Sequence, residues 1–104
     1  MKTYYHATPK KNAFSIIREG IRPGMEGGVY LSETVEDALQ FMYIRNQPGK
    51  FAVIPVYLDE SDTLEPGEDH DPDAIQATSY FHPGAIPAEK VERKLSNIPL
   101  FGFR

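Results

Sequence analysis

Residues 4–32, YYHATPKKNAFSIIREGIRPGMEGGVYLS, decide the fold, because two strand-like runs flank a helical segment and a glycine-rich loop within one short stretch. Lys2–Ala7 is rich in tyrosine and threonine, which favour a pleated, half-buried surface. Asn12–Arg18 predicts a short helix capped by Asn12, with Gly20 placed to end it in a left-handed conformation. Gly28–Ser32 then predicts a second strand. This order of elements indicates an α+β domain.

Apolar residues at helical spacing predict which sides of two helices face the core. In the first helix these residues are Ala13, Phe14, Ile16 and Ile17. In the second they are Val35, Ala38, Leu39 and Met42. Either Ser32 or Thr34 can cap the second helix, which we expect to end near Arg45.

The second half of the chain predicts further strands. These are Phe51–Leu58, Ile75–Phe81 and a strand from Val91, followed by an apolar tail, Ile98–Phe103, that we expect to dock on the core. Pro55 cannot donate a hydrogen bond to a sheet, so the strand that contains it is expected at an edge or a bulge rather than paired on both sides. His82 precedes Pro83-Gly84 and is expected in a turn.

Length and composition exclude several classes of protein. The 104 residues predict one domain, 1–104, and the absence of cysteine excludes a disulfide framework, a thiolate metal site and a cysteine nucleophile. No stretch is apolar enough for a signal peptide or a membrane-spanning helix, so we expect a cytoplasmic protein without a membrane partner.

The acidic residues are concentrated in one segment. The net charge is −4, yet Asp59–Asp73 holds eight acidic residues and no lysine or arginine, so the remaining chain has 11 basic and 7 acidic side chains. We expect this segment to be exposed and mobile because like charges repel. Neutralising Glu60, Asp62 or Glu65 is then expected to change stability by only a few tenths of a kcal/mol.

No motif for a metal ion, a phosphate loop or a serine triad is present. The chemistry-bearing residues that remain are His6 in the first strand, Arg22 after the first helix and Tyr30 in the second strand. A neutral imidazole can hydrogen-bond a hydroxyl group, a tyrosine ring can stack on a flat ring, and a guanidinium fits a phosphate or pyrophosphate. These three residues are therefore the candidates for binding a ligand.

Short motifs along most of the chain, roughly residues 4–93, resemble the ADP-ribosyltransferase fold. Tyr5-His6-Ala7-Thr8, Asp69-His70-Asp71-Pro72-Asp73 and Thr78-Ser79-Tyr80 are most similar to the small rifamycin ADP-ribosyltransferases. Gly20-Ile21-Arg22-Pro23, Val29-Tyr30-Leu31-Ser32 and Ile86-Pro87-Ala88-Glu89 are equally similar to the RNA 2′-phosphotransferases of the same fold. The resemblance implies split antiparallel β-sheets with two helices in the N-terminal half.

The resemblance also implies an activity and its binding residues. NAD would be the substrate, and ADP-ribose would pass to an unknown acceptor, which is a protein, a nucleic acid or a small molecule. RNA is a possible partner but not the favoured one. The residues expected to bind NAD are His6, Thr8, Arg22, Tyr30 and Ser32. His6 and Tyr30 are expected on neighbouring strands, facing one cleft. A nucleotide- or protein-binding module without catalysis and an RNA 2′-phosphotransferase stay open as alternatives.

The catalytic acid is where this sequence departs from the fold's usual pattern. Most of these transferases have a glutamate at the start of a late strand, where this chain has Thr78-Ser79-Tyr80 with Gln76 slightly earlier. The rifamycin group has its acid in a loop that resembles the one around Asp71, with Asp69 as the other candidate. The resemblance therefore implies Asp71, Ser79 and Gln76 as candidate catalytic residues.

Overall fold

The computed structural model describes residues 1–44, 49–66 and 79–103. In this part of the chain it has six strands and two α-helices: β1 Lys2–Pro9, α1 Ala13–Glu19, β2 Gly28–Leu31, α2 Val35–Ile44, β3 Gly49–Leu58, β4 Glu65–Pro66, β5 Tyr80–Pro83 and β6 Leu100–Phe103. The strands form two antiparallel three-stranded sheets, ordered β1-β3-β6 and β2-β5-β4. The predicted α+β class is confirmed.

The first sheet is built on β3, which pairs with β1 from Lys2↔Leu58 to Pro9↔Phe51 and with β6 at its other edge. The expectation that this strand would not pair on both sides is therefore wrong. The reason lies at Pro55, the partner of Tyr5. Tyr5 exchanges its backbone hydrogen bonds with Ser32 instead, at 2.8 and 2.9 Å, so the β1–β3 ladder requires no N–H from the proline. On the other side β6 pairs only with Gly49–Ala52 and does not reach Pro55.

The two sheets meet where β1 bridges to the residue after β2, at Tyr5↔Ser32. β2 pairs in turn with β5, where Tyr30 faces Phe81 and Val29 faces His82. His82 is therefore a buried strand residue, and its predicted place in a turn is wrong. Of the strand predicted over residues 75–81, the last two residues lie in β5 and residues 75–78 lie outside the described residues.

Helix α1 follows a 3₁₀ turn at Lys10–Asn12 and is terminated by Gly20, whose φ of 85° is positive as predicted, although its ψ of −170° lies outside the left-handed helical region. Two details of the sequence prediction are wrong. The Asn12 side chain makes no capping bond and donates to the Thr8 hydroxyl at 3.1 Å. Phe14, expected in the core, is 66% exposed, because the short helix buries only Ala13 and Ile16 fully.

Helix α2 packs on β1 and confirms the predicted amphipathic stripe as far as its side chains are described. Ala38 and Leu39 are buried, and Val35 packs against the same cluster with Val53 of β3. Thr34 is the capping residue, because its hydroxyl accepts a hydrogen bond from the Asp37 N–H at 3.0 Å. None of the described helices is long and apolar enough to cross a membrane.

The main core lies between the two sheets and α1. Its fully buried centre comes from the end of β2 and from β3, with Ile86 and Val91 from the last third of the chain. Val91 makes a single bridge to Val56 rather than the predicted strand, whereas Ile98 is buried and the tail pairs as β6, which confirms that the tail docks.

One residue of the acidic segment is not exposed. The Asp62 side chain is only 9% accessible, and its carboxylate accepts hydrogen bonds from the Lys90 ammonium at 2.6 and 2.7 Å. His82 Nε2 lies 3.7 Å from the same carboxylate. The other acidic side chains described in this segment, Asp59, Glu60 and Glu65, are exposed as predicted. Asp62 therefore joins this segment to β5 and to the 3₁₀ turn that contains Lys90.

We expect Asp62→Asn to lower the free energy of unfolding by about 1–3 kcal/mol, because it leaves a partly buried ammonium without its counter-ion. Burial acts to raise the pKa of Asp62, but hydrogen bonds from Lys90 and the Asp59 N–H outweigh it and leave that pKa below its usual value. The stabilisation is therefore present above the ordinary aspartate pKa of 3.8 and is lost as the pH falls below it.

Urea titrations of the parent and the variant at pH 7 and pH 3 measure this difference. The exposed Glu60→Gln is the matched control and is expected to change stability by only a few tenths of a kcal/mol. An Asp62→Asn variant as stable as Glu60→Gln at pH 7 would contradict a stabilising role for the ion pair.

Candidate functional site

Two adjoining cavities open beside β1, and both are lined by His6 and Arg22. The first, of about 410 Å³, we call the polar cavity; α1 contributes Ser15, Ile16 and Glu19 to its wall. The second, of about 230 Å³, we call the aromatic cavity; it lies towards β2 and α2. Together they form the cleft.

His6 stands at the boundary of the two cavities on the middle of β1, where it pairs with Ile54. Its Nδ1 lies 3.0 Å from the carbonyl oxygen of Tyr30. Because a carbonyl can only accept a hydrogen bond, Nδ1 is the atom that carries the proton. In the neutral ring Nε2 is then a hydrogen-bond acceptor, which can accept a hydrogen bond from a hydroxyl group.

Tyr30 lines the aromatic cavity from β2, and two contacts hold its ring. Its hydroxyl donates to the carboxylate of Glu26, and its ring packs edge-on against Phe81, with centroids 5.2 Å apart and planes at 61°. Gly28 makes room for Phe81, since a Cβ there would lie 2.4 Å from the Phe81 ring. A tyrosine held in this way offers an aromatic surface whose position does not have to be ordered on binding.

Arg22 reaches the cleft from the loop after α1. The loop is held at its base by Ile21, which exchanges two backbone hydrogen bonds with Ile86 at 2.8 and 2.9 Å. The Arg22 side chain is 86% exposed and approaches the Glu19 carboxylate only to 3.6 Å. An exposed guanidinium with a loosely held partner is well suited to bind an anion at the junction of the two cavities.

Hydroxyl and amide groups line the polar cavity. Thr8 is 5% exposed and accepts a hydrogen bond from the Asn12 amide, while the Ser15 hydroxyl donates to the Asn12 carbonyl at 3.0 Å. Glu19 completes this wall one helical turn further along α1. Groups of this kind match the hydrogen-bonding pattern of a sugar.

The five predicted NAD-binding residues all line the cleft. Thr8 lines the polar cavity, and Tyr30 and Ser32 line the aromatic cavity. His6 and Arg22 line both. Ser32 is only 2% exposed, and its backbone joins the two sheets, so it has a structural role as well. The prediction that His6 and Tyr30 lie on neighbouring strands facing one cleft is confirmed.

Of the three predicted catalytic residues, the structure describes only Ser79. Asp71 and Gln76 lie outside the described residues. Ser79 is half-buried just before β5 and is not among the residues that line either cavity. β5 pairs with β2 beyond Ser79, and Phe81 pairs with Tyr30 and packs against its ring, so the described part of the late strand lies behind the aromatic cavity.

Two carboxylates near the cleft were missed by the sequence analysis. Glu19 lines the polar cavity, and Glu26 holds the Tyr30 hydroxyl. A signal for Glu19 existed, because Asn12, Ser15 and Glu19 recur at helical spacing and so share a face of α1. Glu26 had no such signal, since it comes from an irregular loop.

Two further carboxylates are engaged in hydrogen bonds outside the cleft. Glu33 accepts hydrogen bonds from Tyr80 at 2.6 Å and from Lys2 at 3.0 Å, which lower the pKa of Glu33. Glu92 accepts one from Tyr57 at 2.5 Å, which raises the pKa of Tyr57 to about 12. These groups tie strands together rather than line the cleft. Across residues 1–44, 49–66 and 79–103, no three His, Asp or Glu side chains are grouped to hold a metal ion.

Comparisons of the sequence with protein-family models and with curated proteins find no match.

Proposed function

We propose that this protein binds NAD in the cleft and transfers its ADP-ribose to an acceptor. One observation carries the proposal: an aromatic cavity and a polar cavity adjoin each other and share His6 and Arg22. NAD has a matching division, with two nucleosides joined by a pyrophosphate. The fold would then be of the ADP-ribosyltransferase type, as the sequence motifs suggest.

The two cavities suit different parts of the dinucleotide. In the aromatic cavity Tyr30 can stack on the nicotinamide ring, and His6 Nε2 can accept a hydrogen bond from a ribose hydroxyl. Arg22 can bind the pyrophosphate at the junction. The hydroxyls of the polar cavity are then available to the second ribose. Taken together, the two cavities of about 410 and 230 Å³ have a volume in the range usual for pockets that bind small molecules.

The proposed reaction breaks the bond between ribose C1′ and the nicotinamide nitrogen. The bonding electrons leave with nicotinamide, which becomes neutral, and C1′ passes through an oxocarbenium-like state before the acceptor's oxygen or nitrogen bonds to it and loses its proton to solvent or a base. A carboxylate that faces the positive ribose stabilises this state. We propose Asp71 for this role on its resemblance to the rifamycin-type loop.

A module that binds a nucleotide without catalysis is the second candidate. It is favoured by Ser79-Tyr80 at the start of β5, where no acidic side chain stands among the described residues. Release of nicotinamide separates the two candidates, because a binding module retains affinity for NAD and ADP-ribose and releases none.

We expect Arg22→Ala to weaken NAD binding by at least about tenfold, because charge-assisted hydrogen bonds to the pyrophosphate are lost. Isothermal titration calorimetry with NAD and ADP-ribose measures the effect, and nicotinamide alone, which has no phosphate, should bind both proteins equally. Arg93→Ala removes an exposed arginine that is not among the residues lining the cleft and is the matched control. A parent protein that binds neither NAD nor ADP-ribose would contradict the proposed function.

A further inference from the structure

The outer face of α1, which we define as Phe14 and Arg18 of the helix with Lys11 of the preceding 3₁₀ turn, is an exposed aromatic ring between two exposed basic side chains. The three residues recur at spacings of three and four, so successive turns present them on one side. Within the described residues neither base forms an ion pair. Lys10, also exposed, adds a third positive charge at the start of this face.

Packing does not explain Phe14. The ring is 66% exposed, whereas its neighbours Ala13 and Ile16 are 3% and 7% exposed and bury the other side of the helix. Proteins that bind single-stranded nucleic acids use this arrangement of an exposed aromatic ring between positive charges. A nucleobase stacks on the ring, and the phosphates contact the lysine and arginine side chains.

The outer face borders the cleft along its whole length. Each of its residues directly precedes one that lines the polar cavity: Lys11 precedes Asn12, Phe14 precedes Ser15, and Arg18 precedes Glu19. Consecutive helical residues are rotated by about 100°, so the two rows run side by side along α1. A polymer bound on the outer face therefore passes along the rim of the polar cavity.

The net charge of −4 does not describe the charge along α1, because residues 10–19 hold three basic residues and one acidic residue, Glu19. The described acidic residues after β3 follow Leu58, which pairs with Lys2, whereas the outer face begins just after Pro9 at the other end of β1. Seven residues of strand separate the two ends by roughly 23 Å. That distance exceeds the screening length of about 8 Å at physiological salt, so Asp59 and Glu60, which directly follow Leu58, scarcely weaken the positive potential at α1.

We propose that the outer face of α1 binds single-stranded nucleic acid, with a base stacked on Phe14 and phosphates on Lys11, Arg18 and Lys10. In the proposed ADP-ribosyl transfer this strand is the acceptor, a role that rests on the proposed function. The stacking surface and the charges are indifferent to base identity, so the surface accepts single strands without strong sequence preference.

Fluorescence anisotropy with labelled 12-nucleotide dT and rU strands and a 12-base-pair duplex tests the surface. We expect the parent to bind the single strands more tightly than the duplex, with a slope of log affinity against log salt of about −2 for three phosphate contacts. Lys11→Glu with Arg18→Glu is expected to weaken binding by more than tenfold, and Phe14→Ala by about fivefold or more. Arg93→Glu with Lys94→Glu, which reverses two exposed bases outside the face, is the matched control and should have a much smaller effect.

Three results would overturn the inference: no binding of single strands by the parent, equal losses in the outer-face and control variants, or unchanged affinity of Phe14→Ala with its circular dichroism preserved. The labelled strand is then incubated with NAD and the protein, and its mass is measured. An increase by the mass of one ADP-ribose shows that the strand is the acceptor. Consumption of NAD without strand binding contradicts this inference alone. Strand binding without any NAD affinity contradicts the proposed function and the acceptor role, and supports the nucleic-acid surface.

Discussion

Replacing Asp71 by asparagine is expected to lower the rate of nicotinamide release by about 10²- to 10³-fold while leaving NAD affinity nearly unchanged. The reason is that a carboxylate facing the oxocarbenium-like ribose acts mainly in the transition state, where the positive charge develops. Asparagine has nearly the same shape but no charge, so ground-state contacts are kept. Single-turnover release of nicotinamide and calorimetric titration with NAD measure the two quantities separately.

The control for this experiment is Glu60→Gln, which neutralises an exposed acid of the same acidic segment. Two other results would assign the catalytic role to a residue other than Asp71. Full activity of Asp71→Asn with loss of activity in Ser79→Ala or Gln76→Ala would assign it to the late strand. Full activity of Asp71→Asn with loss in Glu19→Gln would assign the acid to α1 and the polar cavity, where Glu19 stands.

Gly20→Ala is expected to destabilise the fold by about 3 kcal/mol or more, the largest effect on stability that we predict for a single added methyl group. A Cβ at this position would lie 2.2 Å from the Ile86 carbonyl oxygen and 2.8 Å from the Ala88 nitrogen, both backbone atoms that cannot move aside cheaply. The residue also has a φ of 85°, which an L side chain adopts only with strain. Overpacking and backbone strain act together here.

The matched control for Gly20→Ala is Gly27→Ala. Gly27 has nearly the same φ, 87°, but no atom lies within 4 Å of its added Cβ. This control isolates the backbone strain, for which we expect a loss of about 1–2 kcal/mol. Urea titration monitored by circular dichroism gives both values. Equal stability of the two variants would show that the close approach of α1 to residues 86–88 does not limit the fold.

Local patterns were enough to predict most of the elements around the cleft. The strand that contains His6, the helix that ends at Gly20 and the strand that contains Tyr30 are each specified by residues near in sequence: a half-buried aromatic run, a terminal glycine and an apolar run after a glycine-rich loop. The amphipathic stripe likewise predicted α2. In these cases the local preference and the final packing agree.

Predictions failed where a partner distant in sequence decides the outcome. Pro55 was expected to keep its strand at an edge. However, the backbone of Tyr5, its partner on β1, forms its hydrogen bonds with Ser32, so the β1–β3 pairing needs no donor at the proline. Asp62 was grouped with exposed acids, yet Lys90 and His82 bring it into a partly buried ion pair. Phe14 was assigned to the core because its helix was expected to bury a wider face than it does.

The sequence by itself determined the α+β class and the order of the elements around the cleft, because strand, helix and turn preferences act over a few neighbouring residues. Only the tertiary structure decided that β3 is paired on both sides, that Glu19 and Glu26 stand beside the predicted binding residues, and that Phe14 faces solvent between two bases. These features depend on contacts between segments far apart in the chain, and the pairing of such segments is set by the packing of the whole core.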